Sequence, residues 1–318
     1  MSRYILKRLG HALLVIWGAF TLTFLLLYAL PSDPVSILLA ASGAMGGGAA
    51  TAADRAAIAA RYGLDQPLWK QYLDSLTGIL HGDLGTSVSS GLPVSTELAQ
   101  AIPSTLELAL AGLAIGIVLG TLIAVAANLT RSRRLHRLLL TVPPLLASVP
   151  SFWLALVLMQ VVCFQLGWLP SRGDGGLSHL VLPALTLGLG SSTGFAQVLA
   201  RGIAQSLREP YVTELRAKGL SRWSIQVGHV LRNAFLPCLT MLGTAVGGLF
   251  AGAVITETVY SRAGVGRLLQ QAVSEQDMPV VLVLVLLAAT TYALVNLAVD
   301  LLYPRLDPRL RPAVVAVA

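Results

Sequence analysis

The chain has 318 residues, of which 55% are hydrophobic and only 12% are charged. Its mean hydropathy of +0.74 excludes an ordinary soluble domain and is typical of a protein that uses the lipid bilayer as its solvent. The formal net charge is +7, but no basic stripe with interleaved aromatic residues points to a nucleic acid. The composition therefore predicts a membrane protein with no nucleic-acid partner.

Six apolar runs are each long enough to cross about 30 Å of hydrocarbon, which takes about 20 helical residues. These runs are residues 11–30, 104–127, 138–166, 180–200, 236–255 and 280–303. The first is longer than a signal-peptide core and no convincing small-residue cleavage site follows it, so we interpret it as a retained helix. The predicted fold class is an all-α integral membrane protein with six transmembrane helices.

The basic residues predict the orientation, because Lys and Arg are retained on the cytoplasmic side. With the N-terminus inside, 16 of the 22 Lys and Arg residues fall on the cytoplasmic side and six fall outside. We therefore predict that both termini are cytoplasmic. The predicted units are an N-terminal transmembrane helix (1–30), an external cap (31–103), a five-helix core (104–309) and a tail (310–318).

The cap is too long for a simple turn and contains one helical pattern. Pro67 suits a helix start, and Leu68, Tyr72 and Leu76 recur at four-residue spacing. Such a helix either packs on its own transmembrane bundle, which we favour, or lies under a docked partner. The Ala/Gly-rich segment 40–53 is predicted to be a flexible insert.

A polar, mostly cationic segment, residues 209–237, interrupts the apolar runs of the core. Pro210 suits the first turn of a short helix, Gly219 suits its end, and Ser221 can cap a second helix. On the first helix Val212 and Leu215 share a face, while the charged residues point elsewhere. This segment is either an amphipathic helix that docks a soluble partner or an ordinary solvated cytoplasmic loop.

Residues 257–279 form a second external segment, with helical potential from 265 to 273. Its position at the mouth of the bundle makes it a candidate outer gate. The residues assigned to that gate are Glu257, Tyr260, Gly264 and Gly266.

Small residues recur at four-residue spacing inside the second run, at Gly112, Gly116 and Gly120. Such ridges let helices approach closely and indicate packing, not a substrate site. Carboxylates near the span ends, Glu107 and Asp300, are expected to be hydrated or paired with a nearby Arg; Arg305 is nearest to Asp300 in sequence.

Two sequence patterns that are typical of enzymes, the serine nucleophile elbow and the P-loop, do not fit this chain. Residues 190–194 match the GxSxG pattern around Ser192, but a nucleophile elbow needs a strand-to-helix turn and a His base, whereas this segment continues a helical run. A P-loop needs Lys after Gly, and none of the three lysines, Lys7, Lys70 and Lys218, follows Gly. No catalytic, metal or cofactor site is predicted in this chain.

Four ordered blocks carry a family resemblance, and the most specific of them reads RAKGLSRWSIQVGHVLRNAFLP from residue 216 to 237. It resembles the cytoplasmic EAA loop of bacterial ABC importer permeases of the dipeptide/oligopeptide/nickel branch. The blocks YILKRLGHALLVIWGAFTLTFLLLYALPSDP, YGLDQPLWKQYLDSLTGILHGDLGTS and AGAVITETVYSRAGVGRLLQQAVSEQDMPVV match in order. This chain departs from the general motif at Thr213-Glu214-Leu215, where Glu-Ala-Ala is usual, a departure that is itself characteristic of the peptide/nickel branch.

The resemblance implies a non-catalytic permease of the cytoplasmic (inner) membrane that works with a second permease, two ABC ATPase subunits and an external substrate-binding protein. ATP and Mg would be bound by the ATPases. The position within the motif implies ATPase docking by Glu214, Ala217 and Gly219, with Arg216 and Lys218 as charged neighbours. The outer mouth would open when the inner mouth shuts.

The expected substrate is a di- or oligopeptide, with nickel, other metal chelates such as opine-type metallophores, or glutathione as alternatives. Two readings from other classes remain open. One is an intramembrane hydrolase that uses Ser192, and the other is an ion-driven secondary transporter, for which charged residues near the bilayer midplane would be expected.

Overall fold

The computed structural model describes residues 2–29, 52–61 and 65–306, and within them the chain is almost entirely helical. The only strand-type pairing among these residues is an isolated antiparallel bridge between Thr86 and Pro93. The helices are α1 (Ser2–Ala29), α2 (Ala52–Arg61), α3 (Leu68–Leu80), α4 (Val94–Leu129), α5 (Arg133–Ala147), α6 (Ser151–Leu158), α7 (Leu177–Ser206), α8 (Pro210–Ala217), α9 (Leu231–Ala234), α10 (Leu236–Tyr260), α11 (Val265–Ser274) and α12 (Met278–Leu306), with π-helical turns at Met159–Gln165 and Ser224–Val230. The tail and most of segment 40–53 lie outside the described residues.

Three of the described helices are long and apolar enough to cross a membrane by length and composition: Leu6–Leu27, Val94–Leu129 and Met278–Asp300. Runs 180–200 and 236–255 lie in α7 and α10, which have 30 and 25 residues. At about 1.5 Å per residue these two helices are roughly 45 and 38 Å long. The all-helical membrane fold agrees with the prediction, and the count of six spans stays a prediction.

The third apolar run, residues 138–166, is not one continuous helix, so the predicted span is divided. Helix α5 ends at Ala147 and α6 begins at Ser151. Pro150 stands between them in an extended conformation, with φ −57° and ψ 134°. The helix ends before it because proline lacks an amide hydrogen and disfavours helical geometry in the preceding residue. Pro143 and Pro144 lie inside α5 without ending it.

Helix α4 begins at Val94, ten residues before the apolar run suggests. The added turns bury Val94, Leu98 and Ala101 against α11 and α12, so tertiary packing extends the helix. The predicted boundary between cap and core at residues 103 and 104 therefore lies inside one continuous helix.

The glycine ridge of α4 forms a close helix contact, as predicted, and its partner is α7. A Cβ on Gly112 would lie 2.8 Å from the side chain of Leu187, and one on Gly120 would lie 3.0 Å from the Ser192 carbonyl oxygen. Gly188 of α7 makes the reciprocal approach to Ile115, where a Cβ would meet a side-chain carbon at 2.6 Å. The two helix backbones are in contact along three turns.

Helix α3 packs on its own bundle, which confirms the interpretation that we favoured. The Tyr72 ring lies 5.3 Å from the ring centroids of both Phe20 and Phe24. Its hydroxyl and Thr21 Oγ1 are 2.9 Å apart. Trp69 and Leu73, on the flank of α3, remain exposed.

Asp300 pairs with Arg8 of α1, whose Nη1 is 2.9 Å from its Oδ2. The expectation that an Arg pairs with this carboxylate holds, and Arg8 is distant from Asp300 in sequence. Packing of α1 beside α12 brings the two groups together.

Candidate functional site

The polar segment 209–237 begins with a short helix whose ends follow local chemistry. Glu209 is extended, with ψ 146°, and Pro210 opens α8. Gly219 has φ +79°, a left-handed conformation that glycine adopts without strain. Ser221 Oγ then accepts a hydrogen bond from the Ser224 amide at 3.1 Å, so the predicted cap of the second helix is confirmed.

The inner face of α8 is anchored in the protein core. Val212 is 1% exposed and packs in a cluster that includes Ile203 of α7 and Ile225 of the following π-helical turn. Gln226, also buried, donates from Nε2 to the Val125 carbonyl of α4 at 3.0 Å. The segment is therefore a packed element joined to α4 and α7, which argues against a freely solvated loop.

The outer face of α8 and its C-terminal turn carry the residues that the sequence assigns to docking. All five are exposed: Glu214, Arg216, Ala217, Lys218 and Gly219. We call this set the α8 surface. Sequence analysis did not single out Trp223, which follows it and is 60% exposed, because one aromatic residue in a polar segment carries no pattern.

The predicted gate residues lie at and after the C-terminal end of α10, beside the first half of α4. Glu257 is completely buried there. Its carboxylate accepts hydrogen bonds from Thr105 Oγ1 at 2.6 Å, from the Gly266 amide at 2.7 Å and from the Arg267 amide at 3.2 Å. Both amides are in the first turn of α11, whose helix dipole favours a negative charge there. We call Glu257 and these three donors the Glu257 cluster.

The two gate glycines make this burial possible. A Cβ on Gly264 would collide with the Glu257 carboxylate, and one on Gly266 would lie 2.5 Å from Val254 Cα. Tyr260 is also buried, with its hydroxyl 3.1 Å from Thr186 Oγ1 and 3.3 Å from the Ala155 carbonyl oxygen. The four predicted residues thus occupy one buried region, while their movement as a gate stays a prediction.

An ion pair between a buried arginine and a partly exposed aspartate adjoins the Glu257 cluster. Arg262, 2% exposed, lies 3.0 Å from Asp174 and donates to Ser104 Oγ at 3.0 Å. Asp174 also accepts from the Ala263 amide at 2.6 Å. Sequence analysis missed Asp174 because a carboxylate in a glycine-rich loop is usually a turn residue.

Asp277 makes a further link that sequence analysis missed. It accepts from Ser87 Oγ at 2.6 Å and from the Ser89 amide at 3.0 Å. These bonds join the start of α12 to the segment before α4. The only available signal was the pair of serines spaced by one residue, which is weak.

An open groove of about 410 Å³ lies between α4, α7 and α10. Its polar lining consists of four hydroxyl residues, Ser151, Thr186, Ser191 and Thr256. The other lining residues are apolar or glycine, so none of the lining residues is charged. The groove has the volume of a small-molecule site.

Ser192 lies in the middle of α7 and is 3% exposed. Its hydroxyl donates to the Leu189 carbonyl at 2.8 Å, the usual local bond of a helical serine. Because α7 continues through Leu177–Ser206, this serine is not on the strand-to-helix turn that a nucleophile elbow requires.

Comparison with known proteins identifies two family regions. Residues 116–312 match the model described as binding-protein-dependent transport system inner membrane component, and residues 1–109 match the N-terminal model of the same type of membrane component. Similar proteins include the glutathione transport system permease protein GsiC of Salmonella typhimurium strain LT2, 36% identical over 98% of this chain and 99% of its own length. The di/tripeptide permease DppB of Pseudomonas aeruginosa strain UCBPP-PA14 is 37% identical and the dipeptide permease DppB of Escherichia coli K12 is 35% identical, with the same coverage.

Two solved structures share the fold. The MetNI methionine ABC transporter in an inward-facing form has a TM-score of 0.53 at 17% identity, covering 68% of this chain and 98% of that one. An amino acid ABC transporter crystallised with histidines has a TM-score of 0.52 at 17% identity, covering 66% of this chain and 94% of that one. Given a family model over most of the core and relatives that align along the full length, this chain belongs to the inner membrane component family of binding-protein-dependent transport systems, as an ABC importer permease of the peptide type.

Proposed function

We propose that this chain forms, with a second homologous permease, the pathway by which an ATP-driven importer takes up di- and oligopeptides delivered by a substrate-binding protein. Relatives named for dipeptides and for di- and tripeptides align over 98% of the chain, which supports this substrate class. The chain would lie in the inner membrane with both termini cytoplasmic.

The observation that carries the proposal is the α8 surface. Its five exposed residues lie on α8 and on the turn that follows it. The other face of α8 packs in the core through Val212, and the π-helical turn after Gly219 is fixed to α4 through Gln226. A partner that binds such a helix can move the attached spans as a rigid body, which is the domain-closure type of switching. The proposed partners on this side are two ABC ATPase subunits, which would bind ATP and Mg.

The opposite end of the bundle supplies the proposed outer gate. Glu257, Tyr260, Gly264 and Gly266 join α10 to α11, and Thr105 joins them to α4. Alternating access would require these contacts to hold one state of the outer mouth and to loosen in the other. The groove between α4, α7 and α10 would form this chain's half of the pathway.

Glutathione is a second candidate substrate, because the GsiC relative is named for glutathione transport. Glutathione is itself a short peptide, so the same groove would serve either substrate. Nickel and opine-type metal chelates were alternatives from the sequence and enter the test as competing substrates.

The test is affinity purification of the chain in mild detergent, with mass spectrometry of the recovered partners, followed by reconstitution in proteoliposomes. We expect a second permease and P-loop ATPases, and ATP-dependent accumulation of labelled dialanine when the binding protein is added. Accumulation of nickel or a chelate without peptide would overturn the substrate, and a chain that purifies alone even after crosslinking would overturn the importer assignment.

A further inference from the structure

The glycines that line the groove are of two kinds. A Cβ on Gly252 would lie 2.6 Å from the side chain of Leu187, so Gly252 is needed for helix packing. A Cβ on Gly190 or on Gly248 would meet no atom of the described residues within 4 Å. These two glycines, on α7 and α10, leave space in the groove instead of closing a helix contact.

The same groove contains a buried hydroxyl without a partner. Thr256 is 1% exposed, and its Oγ1 has no hydrogen-bond partner among the described residues. Thr258 and Thr291, by contrast, bond the carbonyl four residues back, Thr258 to Val254 at 2.7 Å and Thr291 to Leu287 at 2.8 Å. Leaving a buried hydroxyl unpaired is unfavourable, so Thr256 is poised to gain a bond from a ligand.

Rotation about the Cα–Cβ bond gives Thr256 a way to present this hydroxyl. Threonine occupies two χ1 rotamers in helices, unlike valine and isoleucine, and a change of rotamer moves the hydroxyl to another of the three staggered positions on Cβ. A hydroxyl is both donor and acceptor, so it can pair with either the amide or the carbonyl of a peptide bond.

We propose that Thr256, Gly190 and Gly248 form a subsite of the pathway that binds the main chain of a short peptide. Thr256 supplies a hydrogen bond to a peptide group, and the two glycines leave room for the peptide's side chains. The uncharged lining does not distinguish acidic from basic side chains, and one hydrogen bond is weak enough to allow release. This inference rests on the proposed function and names the residues that set the size of the transported peptide.

The test uses the complete importer in proteoliposomes with its binding protein, and labelled dialanine and trialanine as probes. The variants are Thr256→Val, which keeps the shape and removes the hydroxyl, Thr256→Ser, which restores it, and Gly190→Leu and Gly248→Leu, which narrow the groove. Gly18→Leu is the matched control, because a Cβ on Gly18 also meets no atom of the described residues within 4 Å and no described residue of α1 lines the groove.

We expect Thr256→Val to reduce the uptake of both peptides by about two- to tenfold, the effect of losing one net hydrogen bond, and Thr256→Ser to retain it. Gly190→Leu and Gly248→Leu should reduce trialanine uptake more than dialanine uptake, with unchanged recovery of the second permease and unchanged ATP hydrolysis. Gly18→Leu should transport both peptides normally.

Unchanged uptake by Thr256→Val, or equal loss of both peptides in the glycine variants, would overturn the subsite. Loss of the second permease from Gly190→Leu or Gly248→Leu would assign these glycines to subunit packing and would also overturn it. A wild-type importer that takes up neither peptide would instead overturn the proposed function, so the two failures are distinguishable.

Discussion

Replacing Glu257 by glutamine tests whether its carboxylate is a structural acceptor at the end of α10. Thr105 Oγ1 accepts from the Val265 amide at 2.7 Å, so its own hydrogen is the one that bonds Glu257 Oε1. Glu257 Oε2 accepts from two amides, those of Gly266 and Arg267. Both carboxylate oxygens are therefore required as acceptors.

Glutamine can supply only one of these acceptors. Its carbonyl oxygen must face the two amides of α11, so its amide nitrogen faces Thr105 and leaves the threonine hydrogen without an acceptor. One unsatisfied buried donor costs about 1–3 kcal/mol, and loss of the charge beside the first turn of α11 costs about 0.3–1 kcal/mol more. A loss of about 2 kcal/mol in the free energy of unfolding, at roughly 2–4 °C per kcal/mol, lowers the apparent melting temperature by about 4–8 °C.

The assay is thermal unfolding of the detergent-purified complex, followed by size-exclusion chromatography after heating. Glu257→Ala should lower the melting temperature further, because it leaves three donors without their acceptor. Glu107→Gln is the matched control: its carboxylate is 66% exposed and 3.7 Å from Arg262, so we expect a shift of about 2 °C or less, as for a weak surface pair. A Glu257→Gln variant that melts with wild type, or with Glu107→Gln, would refute the hydrogen-bond assignment.

Three further outcomes are expected. Glu214→Lys and Gly219→Val, changes on the α8 surface, should lower peptide uptake per ATP hydrolysed while membrane insertion stays normal; unchanged coupling in both would count against docking there. Gly120→Ala should lower the melting temperature more than Gly18→Ala, because a Cβ at position 120 would lie 3.0 Å from a backbone carbonyl oxygen of α7, whereas a Cβ at position 18 would meet no atom within 4 Å in the part of the chain that the structure describes. Equal shifts would refute the close approach. A double-mutant cycle on Arg8 and Asp300 should give a coupling below about 1 kcal/mol, because both side chains are partly exposed, and a larger value would contradict this.

Features set by local chemistry were predictable from the sequence. Pro210 and Gly219 bound α8 because proline fits the first turn and glycine tolerates a positive φ. The four-residue spacing of Gly112, Gly116 and Gly120 predicted a close helix contact, but not that its partner is α7. In each case the signal lies within a few residues of the structure that it specifies.

Features that depend on tertiary pairing were not predictable. The carboxylate of Asp277 bonds Ser87, 190 residues earlier, and no pattern within one segment encodes that distance. Which proline ends a helix was not predictable for a related reason: Pro150 separates α5 from α6, whereas Pro103 and Pro183 lie inside continuous helices. Neighbouring helices determine which freed backbone groups are satisfied.

Helix α4 connects the two regions to which function is assigned. In its first half Thr105 donates to Glu257, and near its C-terminal end the Val125 carbonyl accepts from Gln226, which follows the α8 surface in sequence. Twenty residues separate these points, or about 30 Å of helix at ~1.5 Å per residue. Because α4 is also in backbone contact with α7 along its glycine ridge, it bends less readily than an isolated helix. When α8 is displaced, we therefore expect α4 and α7 to move together as a packed pair. The hydrogen bonds of the Glu257 cluster would oppose this movement, because Thr105 of α4 is one of the donors.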